Sequence, residues 1–404
     1  MKLRNQLLAL FCLLLFVALG VVYFRTWVDP RPFGVIVFLG DGLTTRQLAA
    51  ARLYEGGADH RLTLDGFPHL ALVRNAGRDF AVPDPATAAS AVATGQLGAR
   101  QHLSVDASGK ALRTLAEIAK REGRSVGIVT NGQVTDPALA AFYAHAAPPA
   151  EAATIAEQLV RQDTIDIALG GGATTFQTKR ADGSDLIAQL RTAGAAVFST
   201  KAELEEAGAF HDNRIFGLFA PGDLPHADEI ASGTQQPSLP DMVGRAIEFL
   251  QSNRRGYLLI VDAGLVTRAA ERNEGERTLI ETVALDHAVA TATRYSGEKS
   301  LIVAVGKHGV GGLTLNGTPL RADHGVALLG TTPAGYPALT WSTGPNGPSD
   351  KPSPRSRTEP AAFLQASALP TVEDVVAVAR GTGAEKLRGL IDSPELFELI
   401  RGAL

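Results

Sequence analysis

Four side chains that could do chemistry each follow a short apolar run of sequence: Asp41, Asp262, Lys307 and His308. Carboxylates and imidazoles are ligands for divalent cations, whereas an ammonium group must lose a proton before it can bind a metal. If the apolar runs are parallel strands, these side chains lie at carboxyl ends, where open α/β sheets bind ligands. We therefore expect them to share one crevice.

A second candidate for a reactive position is the segment Asp84-Pro85-Ala86. Asp84 suits a helix N-cap and Pro85 suits the first helical residue, so the pattern predicts a helix start. Proline has neither a hydroxyl that could attack a substrate nor a backbone N–H that could hold an anion. Thr87 lies two residues farther on, so its hydroxyl is expected to point away from the position of Pro85.

The elements that position these residues follow from the apolar runs, which predict buried strands separated by amphipathic helices. The predicted strands are Val35 to Leu39, Ser125 to Thr130, Ile165 to Leu169, Ile215 to Phe219, Tyr257 to Val261 and Leu301 to Val305. The predicted helices include Leu112 to Arg121, Met242 to Gln251 and Arg277 to Arg294. The fold class is therefore α/β, a doubly wound and mainly parallel sheet with helices on both faces.

Several motifs resemble the alkaline phosphatase family in the family's order over residues 33–404. They are Phe38 to Leu43, Val82 to Ala86, Ala93 to Gly95, Ala140 to His145, Leu169 to Gly172, Gly217 to Ala220, Gly311 to Gly317 and Gly383 to Lys386. The resemblance implies a serine nucleophile at a helix start, two zinc ions, one magnesium ion and an arginine that clamps phosphate. It also implies phosphatase chemistry, in which the cations neutralise developing charge.

Measured against that family pattern, the nucleophile is missing, because Pro85 stands where the family has serine. Thr267 replaces a zinc-binding aspartate, and Glu271 replaces a histidine that ligates zinc. Lys307 replaces another aspartate ligand, and its positive charge would repel a zinc ion. Thr267 and Glu271 are also consistent with an ordinary polar helix start, which is the interpretation we favour.

Three positions retain a suitable ligand, namely Asp41, His308 and Asp262, the last standing in for a magnesium carboxylate. These three are the metal positions that the resemblance leaves. We expect no cofactor, and zinc or magnesium only if activity remains. A sharper hypothesis is that the Lys307 ammonium replaces the lost ion and pairs with Asp41.

The remaining site positions of the family also differ. Ala138 stands where the resemblance implies a threonine ligand, and no arginine follows Tyr143-Ala144-His145 within the expected distance. The stretch Leu369 to Val375 contains no histidine, and the flanks of His324 do not match the family.

The N-terminus predicts a membrane anchor. Lys2 and Arg4 precede an apolar run from Leu7 to Phe24, which is about long enough to cross a bilayer. The positive charge before the run places the body on the outer, periplasmic or extracellular, side of the cytoplasmic membrane as a single-pass protein. A cleaved export signal is the alternative, and it gives the same compartment without the tether.

Composition limits the remaining possibilities. The chain has 404 residues, a formal net charge of -4 and one cysteine, Cys12, within the apolar run. The single cysteine excludes a disulfide framework, and the near-neutral charge gives no case for a nucleic-acid partner, which would require a basic face. We divide the chain into residues 1–32, the anchor, and residues 33–404, the phosphatase-like domain, with an irregular loop at about 344–360.

We therefore expect a pseudoenzyme, a membrane-anchored phosphatase-like binding or scaffolding module with an unknown protein partner. The alternative is a metal-dependent phosphoric ester hydrolase in which Asp41, Asp262, Glu271 and His308 hold one metal that activates water. A purely structural or lipid-facing role has no positive signal in the sequence. Homodimerisation, common in the family, stays open.

Overall fold

The apolar runs form a single ten-stranded sheet. The computed structural model describes residues 2–27, 33–40, 42–148, 150–177, 183, 185–206, 214–316, 335, 337–349 and 358–404. The strands within these residues are β1 (Gly34–Gly40), β2 (His69–Arg74), β3 (Ser125–Gln133), β4 (Ile167–Gly171), β5 (Ala196–Phe198), β6 (Ile215–Leu218), β7 (Tyr257–Ala263), β8 (Leu301–Gly306), β9 (Gly309–Val310), β10 (Thr314–Leu315), β11 (Leu339–Gly344), β12 (Ala361–Leu364), β13 (Pro370–Thr371), β14 (Val375–Arg380) and β15 (Gly389–Asp392).

Helices connect most of the parallel strands. They are α1 (Lys2–Trp27), α2 (Thr45–Gly56), α3 (Pro85–Thr94), α4 (Leu115–Arg121), α5 (Pro137–Ala140), α6 (Ala152–Arg161), α7 (Ala173–Gln177), α8 (Leu186–Thr192), α9 (Lys201–Glu206), α10 (Ala227–Ala231), α11 (Leu239–Leu250), α12 (Gly264–Glu271), α13 (Gly275–Tyr295) and α14 (Ser393–Arg401). Several begin at side-chain caps that satisfy their first N–H groups, such as the reciprocal Thr114–Glu117 pair of α4.

Both faces of the sheet are covered. In β1, Val35, Val37 and Leu39 pack into one apolar core, while Ile36 and Phe38 pack into another. All seven residues of β1 are buried, because β7 and β8 flank the strand and helices lie over both faces. This explains why the strand reads as an unbroken apolar run and not as an alternating one.

The six predicted strands are confirmed, as β1, β3, β4, β6, β7 and β8, with small shifts at their ends. Leu112 to Arg121, predicted as helical, begins only at Leu115, after the Thr114 cap. The sheet is mostly parallel, as expected, but β14 runs antiparallel to both β8 and β2. The strand order of the main sheet is β15-β2-β14-β8-β1-β7-β3-β4-β6-β5, and a separate three-stranded sheet has the order β10-β11-β12.

At the N-terminus, α1 confirms a long apolar helix. Within the described part of the chain it is the helix long and apolar enough to cross a membrane, over Arg4–Val21, and none of that span is buried. The predicted irregular loop at 344–360 is described only in part, since residues 350–357 lie outside the described residues.

Candidate functional site at the carboxyl edge of the sheet

A buried ion pair lies where the central strands end. The Lys307 ammonium lies 2.5 Å from Asp262 Oδ1, and the two side chains are 3% and 1% exposed. Thr130 Oγ1 donates to the other carboxylate oxygen of Asp262 at 3.3 Å. Removing two charges from water is costly, so such a pair is tolerated only where the charges compensate each other closely.

The strand register brings the pair together. Asp262 on β7 lies beside Leu39 on β1 and Thr130 on β3, so it stands at the end of three neighbouring strands. The backbone N–H of Lys307 donates to Gly40 O at 2.9 Å, which holds the end of β8 against the end of β1. The register of these buried strands therefore places the Lys307 ammonium next to the Asp262 carboxylate.

A second charge cluster lies beside the first and is centred on Arg268 of α12. Its Nη2 donates to Asp136 Oδ1 at 3.0 Å, and its Nε donates to Asp223 Oδ2 at 3.2 Å. A Cβ built on Gly264 would lie 3.1 Å from Asp262 Oδ2 and 3.6 Å from Asp136 Oδ2. The absence of a side chain at Gly264 therefore allows the two clusters to approach each other.

Burial raises the pKa of Asp136 from its ordinary 3.8 to about 6. The Arg268 guanidinium opposes this rise, and the Asp262 and Asp223 carboxylates add to it. Arg268 shows the converse balance: burial lowers the pKa of its guanidinium, but the two aspartates raise it further. The cluster therefore contains one carboxyl group that titrates near neutrality and one firmly charged cation.

The start of α3 is the other predicted position, and the structure confirms its capping. Asp84 Oδ1 accepts from the N–H of Thr87 at 3.0 Å, and Pro85 is the first helical residue. Asp84 Oδ2 also accepts from the N–H of Gln101 at 2.9 Å. The carboxylate is therefore occupied by donors of its own chain.

Thr87 cannot take the part of a nucleophile in this arrangement. Its side chain is fully buried, and its hydroxyl lies 2.9 Å from Asp84 Oδ2 and 3.2 Å from Ala99 O. A hydroxyl that is buried and held by two acceptors is not presented to a ligand.

Comparison with known proteins decides the family. A model of the family described as alkaline phosphatase matches residues 34–404. The chain belongs to the alkaline phosphatase family. Tissue-nonspecific alkaline phosphatase of Gallus gallus is 31% identical over 343 residues, 71% of this chain and 66% of that protein. Alkaline phosphatase 4 of Bacillus subtilis (strain 168) is 28% identical over 308 residues, 73% of this chain and 65% of that protein.

The alignments thus span slightly less than two thirds of the length of these two relatives. Solved structures support the alkaline phosphatase fold. The alkaline phosphatase of the Antarctic bacterium TAB5 superposes with a TM-score of 0.75 at 20% identity, covering 93% of this chain and 98% of that one. The Thermus thermophilus enzyme gives 0.75 at 24% identity, covering 93% and 92%.

Within this alkaline phosphatase fold, the residues interpreted as a polar helix start extend over most of α12, which begins at Gly264. Thr267 lies in its first turn, whereas Glu271 is its last residue. Thr267 is 5% exposed, and its hydroxyl has no hydrogen-bond partner among the described residues. The α12 face that bears Thr267 is therefore turned inward.

His308 is 2% exposed, and its Nδ1 lies 3.4 Å from Gly309 O, while its backbone O accepts from the N–H of Gly42 at 2.7 Å. The predicted pairing of Lys307 with Asp41 lies outside the described residues, because Asp41 is not among them. His324 is outside them as well. Within the described part, the partner of the Lys307 ammonium is Asp262.

Sequence reasoning missed Asp136 and Asp223, although the rule that found Asp262 would have found them. Asp136 follows β3, and Asp223 follows β6 by a few residues, so both lie at the carboxyl edge. The described residues contain no group of three or more His, Cys, Asp or Glu side chains placed to hold a metal ion. A cation at Asp262 would have to displace Lys307 from that carboxylate.

Proposed function

We propose that this member of the alkaline phosphatase family is a membrane-tethered binding or scaffolding module outside the cytoplasmic membrane. We propose further that it does not hydrolyse phosphate esters. The observation that carries this proposal is the Lys307–Asp262 pair, 2.5 Å apart and almost fully buried. An ammonium group supplies the positive charge at a carboxylate that could otherwise bind a cation.

The residues described at this edge fit a divalent cation poorly. Asp262 is engaged by Lys307 and by Thr130, and Asp136 and Asp223 are engaged by Arg268. A metal entering here would meet two positive side chains and would have to break existing pairs. This supports the expectation that the protein works without zinc or magnesium.

The helix start at Pro85 supports the same proposal independently. Covalent catalysis needs a hydroxyl, thiol, amine, carboxylate, imidazole or phenol at the attacking position, and proline has none of these. Loss of a nucleophile alone costs on the order of 10⁶ in rate where it was measured in a protease. Here the changed nucleophile coincides with a changed electrostatic site, so restoring one part should not restore turnover.

The apolar helix α1 supports the tether. Its span Arg4–Val21 packs against nothing else in the described part of the chain, and an apolar surface of that length is costly in water. Lys2 precedes the span and Arg4 is its first residue, and positive charge at this end favours an inside N-terminus and an outside body.

The alternative is a metal-dependent phosphoric ester hydrolase, which the names of the relatives favour. The test uses the full chain purified in detergent and incubated with zinc and magnesium salts, then desalted. We expect no stoichiometric zinc by elemental mass spectrometry. We also expect no hydrolysis of p-nitrophenyl phosphate or of its bis-ester.

The matched variants are Pro85→Ser alone and Pro85→Ser with Lys307→Asp. Because several parts of the site differ together, neither variant should gain more than trace turnover. Retained zinc, together with turnover that is abolished by Asp41→Ala, would establish the hydrolase instead.

A further inference from the structure

Three basic side chains surround the point at which the chain from α1 enters the sheet. Arg254 and Arg255 lie in the turn before β7, and Lys299 lies in the turn before β8. Since β7 and β8 are the two neighbours of β1, these turns flank the start of β1 on both sides.

Hydrogen bonds fix this arrangement. The N–H of Tyr257 donates to Phe33 O at 3.2 Å, and the N–H of Gly34 donates to Ser300 Oγ at 3.1 Å. A Cβ on Gly256 would lie 2.3 Å from Phe33 O, so only glycine permits this turn to pack on the entering chain. The turns that carry the three cations are therefore held against the start of β1 by hydrogen bonds and close backbone packing.

Their charge is presented to solvent. Arg254, Arg255 and Lys299 are all exposed. Arg255 and Lys299 form no ion pair within the described residues, although the acidic Glu298 is exposed in the same turn as Lys299. These exposed cations contrast with a chain whose formal net charge is -4.

The helix dipole does not account for them. Basic residues in the last turns of helices such as α4 are explained by the negative end of the helix. Arg255 and Lys299 instead lie in turns beyond the last turns of α11 and α13, where that effect has fallen off. An anionic surface close to these turns would complement the charge that they expose to solvent.

The short linker between α1 and β1 keeps these turns close to the membrane that would hold α1. Trp27 ends α1, and Phe33 is six residues later, so fully extended chain separates them by at most about 22 Å. A short tether makes any contact between the body and the bilayer intramolecular, so weak electrostatic attraction suffices.

We infer that Arg254, Arg255 and Lys299 contact the headgroups of anionic phospholipids in the membrane that holds α1. This inference rests on the proposed tether. Each basic residue near an anionic surface contributes roughly a fivefold preference, and salt screens it. We call the edge at which the parallel strands begin the amino edge. The contact orients the body so that the amino edge faces the bilayer and the crevice at Asp262 faces away from it.

The test uses the full chain with Cys12→Ser and one new cysteine, at Ser252 on the amino edge or at Ser108 on the opposite edge. Each protein carries a fluorophore and is reconstituted in neutral vesicles or in vesicles with a quarter of phosphatidylglycerol, both containing a headgroup-attached quencher. We expect strong quenching at position 252 only with anionic lipid, and reversal by high salt. Position 108 should be quenched little in either lipid.

The charge-reversal variant Arg254→Glu, Arg255→Glu, Lys299→Glu should reduce the preference for anionic vesicles by tenfold or more. The matched control reverses the charge of Arg78, Lys110 and Arg113, which are exposed and lie in loops at the carboxyl edge. It should leave the quenching at position 252 unchanged. Equal quenching in the two lipids, or equal loss in both variants, would overturn the inference.

Flotation of the vesicles after an alkaline wash separates this inference from the tether. A chain that floats without lipid-dependent quenching refutes the headgroup contact alone. A chain that no longer floats with the vesicles refutes the tether and the contact together.

Discussion

Two groups of basic side chains, at opposite edges of the central sheet, are held in opposite ways. At the carboxyl edge, Lys307 is 3% exposed and lies 2.5 Å from Asp262, and Arg268 bridges two aspartates. At the amino edge, Arg255 and Lys299 are exposed and form no ion pair within the described residues. The comparison teaches that residue type alone does not indicate a charge's task, since burial decides whether a cation compensates its own chain or remains available to another surface.

The largest expected effect is at the buried pair. Lys307→Met removes the ammonium and leaves the Asp262 carboxylate buried without it, which should cost about 3–5 kcal/mol of unfolding free energy. Adding Asp262→Asn removes the stranded charge and should recover most of that loss. Urea unfolding of the full chain in detergent, followed by tryptophan fluorescence, measures both.

The matched control at the other edge is Lys299→Met, which should change stability by less than about 0.5 kcal/mol. A similar small loss for Lys307→Met would erase the contrast between the two edges.

A smaller effect should appear in the pH dependence of the second cluster. Burial raises the pKa of Asp136 from 3.8 to about 6, so the folded state binds this proton more tightly than the unfolded state. The resulting stability is present below pH 3.8 and is lost as the pH rises through about 6. The stability of the native protein relative to Asp136→Asn should therefore fall by about 3 kcal/mol between pH 3 and pH 7.

The control for that titration is Asp392→Asn. A hydrogen bond from Arg74 and its charge lower the pKa of Asp392, so its contribution should change with pH in the opposite direction. Parallel denaturation series at several pH values distinguish the two slopes. Identical slopes would show that Asp136 is not a buried acid.

The smallest expected effect concerns the start of α3. Asp84→Ala removes the acceptor for the N–H groups of Thr87 and Gln101 and should cost about 1–2 kcal/mol. Asp84→Asn keeps one acceptor oxygen and should cost less than half as much, as measured by thermal denaturation. Equal losses would mean that charge, and not capping, matters at this position.

Much of the sheet could be predicted from the sequence, because a strand buried on both faces must be apolar throughout. Tyr257 to Val261 is such a run, and it forms the interior of β7. The strands β15, β2 and β14, which form one end of the sheet, were not predicted. In β2, Leu70 and Leu72 are 57% and 37% exposed, so hydrophobicity does not mark its buried face. The antiparallel direction of β14 is set by its neighbours, which sequence order does not reveal.

The candidate site was predictable only as a set of strand ends. Asp262 and Lys307 were expected in one crevice, and they lie together there. The predicted pairing of Lys307 with Asp41 stays a prediction, because Asp41 lies outside the described residues. The pairing with Asp262 depends on the order β8-β1-β7 and on the register that places Asp262 beside Leu39. Both are long-range properties, whereas the proline at the helix start and the lysine at the strand end are local and could be interpreted directly.

The position of the last residue has a practical consequence. Arg124 donates to Leu404 O, and Arg124 lies beside Gly256, which packs on Phe33. The two ends of the phosphatase-like domain therefore emerge on the same side. A fluorescent protein fused after Leu404 would project from that side and leave the carboxyl edge of the sheet, with Lys307 and Asp262, unobstructed.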